Sequence, residues 1–215
     1  AANVKRSASA PNDGMPSGNS AFVFLMTLGA SSGTTIGAAI GAAAVPVYTS
    51  LRTLSRVGLQ FLMMINLPVM PEFTAEYARG NLGWISRIAG ALVCFNAIAG
   101  LIGAIILATL GNTILSLWTH GAIQAPGPML WLTGVAIVAA TIWNPLSSLL
   151  VAANRHERFA IVLAAGVVIT MPLTYAASRL AGLNGAAAAI MCLDLFLAGF
   201  ALRQAQRNFG LRSHT

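Results

Sequence analysis

Charge is what this sequence has least of. Asp, Glu, Lys and Arg make up 8% of its 215 residues, against about a quarter in an ordinary soluble domain. Acids are the scarcer sign, with five against twelve basic residues. They form no paired motif of the kind that holds a metal at a membrane surface. No glycine-rich phosphate loop is present, and no His or Cys cluster has metal-ligand spacing. Cys94 and Cys192 stand alone in apolar runs, which excludes a disulfide framework; both read as small core residues. His120 and His214 fall in a loop and a tail, and His156 sits near two arginines. All three read as solvated side chains. We therefore expect no catalytic residue, no metal, no cofactor and no enzyme. The opening "AANVKRSASAPNDGMPSGNS" has neither an initiator Met nor the apolar centre of a signal peptide, and we expect a piece of a longer protein.

What is abundant is apolar length. The apolar share is 57%, and several stretches reach the roughly 20 residues that a helix needs to cross hydrocarbon. The pattern predicts an all-α, polytopic bundle of six membrane spans at about 21–44, 47–70, 88–118, 129–153, 160–177 and 186–202. Residues 1–20 then form a polar linker, 21–202 the six-helix lobe and 203–215 a basic tail. The net charge of +7 could suggest nucleic acid, but its basic residues come in ones and twos between apolar runs. That spacing suits cytoplasmic loops, so no nucleic-acid partner is expected. With both ends cytoplasmic, the inner segments hold Lys5, Arg6, Arg79, Arg87, Arg155, Arg158, Arg203, Arg207 and Arg212. The outer loops hold only Arg179, as the positive-inside rule requires.

Gly29, Gly33, Gly37 and Gly41 recur every fourth residue on the first span. Such a face lets another helix approach closely; alternatively Ser31, Ser32, Thr34 and Thr35 line an aqueous cavity. On the second span, Tyr48, Arg52, Ser55, Arg56, Gln60 and Asn66 share an arc of about 140°. A central Arg costs about 2.5–3.5 kcal/mol on insertion scales, while each apolar neighbour returns about 0.3–0.6. The stripe is therefore expected to face protein or water. Arg52 and Arg56 either snorkel to outer headgroups or form an anion site, since guanidinium binds phosphate through paired donors. Asp194, alone in "IMCLDLFLAGF", is either an ion-coupling group or a fixed partner in an ion pair or hydrogen bond between helices. Pro68, Pro145 and Pro172 mark candidate kinks or hinges.

The stretch "VPVYTSLRTLSRVGLQFLMMINLPVMPEFTAEYARGN", with "LSLWTHG", "ATIWNPLSSLLVAANRHERFA" and "LAGLNGAAAAIMCLDLF", resembles the C-terminal half of polysaccharide flippases of the O-antigen type. These belong to the multidrug, oligosaccharidyl-lipid and polysaccharide exporter superfamily, and the likeness covers roughly 21–202. It implies one lobe of a two-lobe, MATE-like transporter whose N-terminal lobe lies outside this sequence. The resemblance further implies residence in the bacterial inner membrane. There the whole transporter would move undecaprenyl-pyrophosphate-linked oligosaccharide, an O-antigen or exopolysaccharide unit, by alternating access. Arg52 and Arg56 match basic positions of the family's cavity-lining helix, and Asp194 falls where an acid is common. A drug or cation exporter of the same superfamily is the nearest rival. A membrane-embedded glycan polymerase or glycosyltransferase is the rival from a different class.

Overall fold

The computed structural model describes residues 33–209, and every regular element among them is helical. A helical segment at 33–40 (α1) is followed by α2 (Ala44–Asn66), α3 (Val69–Ala78), α4 (Leu82–Trp118), α5 (Gly127–Ala152) and α6 (Glu157–Phe209). Three of these, α4, α5 and α6, are long and apolar enough to cross a membrane, and the bent pair α2 plus α3 passes the same test jointly. Their outward faces carry Phe95, Ile98, Leu101, Ile102, Ile105 and Ile106 on α4 alone, a surface fit for lipid and unfit for water. The protein is membrane-embedded.

The turns follow local chemistry. The expected first span ends earlier than its apolar run, at 40, because Gly41 takes φ +100° and turns the chain; residues 21–32 of that span lie outside the described part. The second span breaks near Asn66, before Met70. Pro68 caps α3, and the two helices meet at a bend of 46°, since a proline cannot donate to the turn before it. The third span begins earlier than its apolar run. Asn81 Oδ1 accepts the Trp84 N–H at 3.3 Å and caps α4 at Leu82. Next to this cap, Glu76 accepts from Asn81 and Arg79. Asn112 pins the α4–α5 loop by bonding both the N–H and the C=O of Ala125.

The fifth and sixth expected spans are the two limbs of α6. Ala181 and Gly182 leave helical geometry, and Gly182 takes φ +59° and ψ −141°. That region is open chiefly to glycine. The chain then doubles back: a Cβ added at Gly185 would overlap the Ala177 carbonyl. One added at Gly166 would come 2.8 Å from Leu193. The rings of Phe159 and Phe200 lie 6.3 Å apart, and Gln204 Nε2 donates to the Arg155 carbonyl at 3.0 Å. These pairs run in opposite directions along 157–180 and 183–209, which defines an antiparallel hairpin.

α5 packs between α4 and α6. In lipid the apolar surroundings compete with apolar packing, so close approach through small residues carries the association. Gly100 gives way to Thr141, Gly111 to Leu130 and Gly134 to Ala104 along the α4–α5 seam. One core cluster, around Phe73, Ile85, Leu150, Phe159 and Phe209, joins α3 to the bundle. A second, around Tyr48, Leu51, Leu115, Met129 and Ala186, holds α2 at the opposite end. Cys94 and Cys192 are exposed, contrary to the core reading. An apolar neighbourhood does not distinguish core from lipid-facing surface when both are apolar.

Candidate functional site

α2, α5 and both limbs of α6 enclose an open cleft of about 330 Å³. Each wall is one helical face, set by spacings of three and four residues. From α2 come Tyr48, Leu51, Arg52, Ser55, Arg56 and Leu59; from α5, Met129, Thr133, Ala136, Ile137, Ala140 and Trp143. The first limb of α6 adds Thr170 and Thr174, and the second adds Ile190 and Asp194. Most of the hydroxyls are already committed to their own helices. Ser55 donates to the Leu51 carbonyl at 2.8 Å, Thr133 to that of Met129 at 2.8 Å and Thr170 to that of Gly166 at 2.7 Å. The charged groups lining the cleft are Arg52, Arg56 and Asp194, with Tyr48, Trp143 and Thr174 among its other polar side chains.

Asp194 makes no ion pair among the described residues. Its carboxylate accepts one hydrogen bond, from Trp143 Nε1 at 3.0 Å, a tie between α5 and the second limb of α6. A carboxylate can accept from several donors, so Asp194 keeps unused acceptor capacity toward the cleft. Arg52 and Arg56 bring donors on the facing wall. The arrangement can bind a group that offers anionic oxygens at one side and a donor or cation at the other, against apolar walls.

The expected stripe divides in two. Tyr48, Arg52 and Arg56 line the cleft, while Gln60 is exposed and outside it. Asn66 is buried and also outside: it exchanges two 3.1 Å hydrogen bonds with Asn96 of α4. It is a fastening between helices, while Trp143, Thr133 and Thr170, not expected from the sequence, line the cleft. Trp143 had no signal in the sequence, since its partner lies 51 positions away. Pro68 sits at the bend between α2 and α3. Pro145 and Pro172 lie inside helices that continue through them; Ser147 and Ser148 both donate to the Asn144 carbonyl beside the first.

Of the glycine face, Gly33 and Gly37 pack on Thr49 and Val45 of α2. Gly41 has open space beside it and a positive φ, so it serves the turn and no packing surface; Gly29 lies outside the described residues. No group of three or more His, Cys, Asp or Glu suited to a metal occurs among the described residues. No family model, curated protein or solved structure matches this chain.

Proposed function

We propose that this chain is one lobe of a membrane flippase that carries a lipid-linked oligosaccharide through a pyrophosphate or acidic glycan. The observation that carries the reading is Arg52 and Arg56 on the cleft wall, one helical turn apart and set among apolar residues. Guanidinium groups in low dielectric hold phosphate far more firmly than in water. The resemblance to O-antigen flippases supports the same class, with alternating access as the mechanism and undecaprenyl pyrophosphate as the lipid carrier.

On this reading the α6 hairpin and the α2–α3 unit contribute crossings to a six-span lobe in a bacterial inner membrane. Arg79 and Arg87, the α5–α6 loop and the end of α6 share the end of the bundle built around Phe73 and Phe209; both chain ends would then be cytoplasmic. A second lobe would close the open side of the cleft. The test is the pair of substitutions Arg52→Ala and Arg56→Ala, with surface polysaccharide measured at matched protein levels. Loss of display is the expected result, and normal display removes the role.

The carboxylate of Asp194 in a largely apolar cleft favours one alternative, an exporter of organic cations. Uptake and efflux assays with such cations separate the two, because a cation exporter needs Asp194 and tolerates loss of both arginines.

A further inference from the structure

A second cavity, of about 520 Å³, opens at the far end of the α6 hairpin from its Gly182 turn. It is lined by Arg155 in the α5–α6 loop, by Arg158 at the start of the first limb and by Arg203 and Arg207 near the end of the second. Arg203 and Arg207 are one helical turn apart and so project from the same side. None of the four forms an ion pair among the described residues, although Glu157 also lines the cavity. Gln204 Nε2 donates to the Arg155 carbonyl at 3.0 Å and ties the second limb to the α5–α6 loop across the cavity. Phe200 supplies an apolar wall toward the interior of the bundle.

Surface arginines at the end of a membrane helix ordinarily serve orientation alone. Here they converge on a concave site, where four guanidinium groups repel one another unless an anion lies between them. An acceptor is present too: the Glu157 carboxylate is exposed and shares the lining. The matching ligand carries phosphate oxygens for the arginines and, beyond the phosphate, a hydroxyl donor for Glu157. It would also have an apolar portion to lie on Phe200. We propose that this cavity binds the headgroup of an anionic phospholipid of the phosphatidylglycerol kind. The site is distinct from the cleft, and the proposal does not depend on what the cleft transports.

Native mass spectrometry of the full chain in detergent tests it, with phosphatidylglycerol, phosphatidylcholine of the same acyl chains, and inorganic phosphate as probes. Phosphatidylglycerol is expected to be retained about tenfold better than phosphatidylcholine, as two or more basic contacts would give. Arg155→Gln with Arg203→Gln should abolish that preference, while Arg155→Lys with Arg203→Lys should keep most of it and report on folding. Arg179→Gln, at the opposite end of the hairpin, should change nothing. Equal retention of the two lipids by the unaltered chain overturns the proposal, as does a preference that survives the double Gln substitution. Binding of inorganic phosphate without lipid preference assigns the cavity to a soluble anion and also overturns it.

Discussion

The indole N–H of Trp143 donates to the carboxylate of Asp194 at 3.0 Å, joining α5 to the second limb of α6 inside the cleft. Trp143→Phe removes the donor and leaves the carboxylate with no hydrogen bond among the described residues. Losing a buried partner of this type costs about 1–3 kcal/mol. Asp194→Asn keeps an oxygen able to accept from the same indole, and its effect on stability should be smaller. Thermal unfolding of the two variants in detergent is the check, and the ordering of the two melting points is the expected outcome. If Asp194 couples transport to an ion gradient, Asp194→Asn retains the fold and loses the gradient dependence.

Asn66 and Asn96 form a closed amide pair, and Asn96 Nδ2 also bonds the Leu92 carbonyl at 2.8 Å. Hydrogen bonds between helices in lipid average about 0.6 kcal/mol and reach about 1.7. Asn66→Leu and Asn96→Leu singly should each destabilise by roughly that amount, because each strands the other amide. The double substitution should cost less than the sum of the two. A double-mutant cycle by unfolding in mixed micelles measures the coupling.

Gly100 and Gly103 lie on the same helix with opposite surroundings. A Cβ at Gly100 would overlap Thr141 Oγ1 and come 2.9 Å from its Cγ2, whereas nothing lies near Gly103. Gly100→Ala should therefore destabilise by about 1–3 kcal/mol, with partial rescue by Thr141→Ala. Gly103→Ala should be neutral or slightly stabilising through helix propensity. Unfolding midpoints of the three variants decide the matter.

The hairpin turn has its own sensitivity. Gly182→Ala places a side chain at φ +59° and ψ −141°, at a cost of about 1–3 kcal/mol. Gly185→Ala is expected to be worse, since the obstacle is the backbone carbonyl of Ala177, which has no rotamer to adopt. Yield of monodisperse protein and protease resistance should fall in that order.

Cysteines placed singly at 52 and 56 in a background without Cys94 and Cys192 should react with a membrane-impermeant maleimide. Those at 61 and 64 should not, because Phe61 and Met64 are 66% and 67% exposed on the apolar side of α2. Protection at 52 and 56 with reaction at 61 and 64 would invert the assignment of α2 faces and remove the cleft reading.

The helical class and the apolar runs were legible because membrane helices need long uninterrupted segments, and Pro68 and Gly182 lie at real breaks; the turn at Gly41 was hidden by its place in a four-residue glycine repeat. Within the α2 stripe, periodicity placed Tyr48, Arg52 and Arg56 on one face. It failed for Gln60 and Asn66 because α2 leaves the cleft before reaching them, and helical spacing does not say where a neighbour ends. The α4–α5 seam at Gly100, Gly111 and Gly134 was hidden for a different reason: these glycines lack a regular four-residue repeat, and their partners are distant in sequence. Trp143 and the exposed cysteines were illegible alike. A chain apolar on every side carries no contrast between what meets protein and what meets lipid.

α2 is held to the rest of the molecule near its two ends, by Tyr48 and Leu51 at one and by the Asn66–Asn96 pair at the other. Arg52 and Arg56 lie between these fastenings, and Leu54 between them packs against the same core. One helical turn apart on a single helix, the two guanidinium groups keep a spacing set by the backbone, so loosening either fastening would displace them as a pair. The placement of the cleft's positive charge thus depends on fastenings that carry no charge themselves.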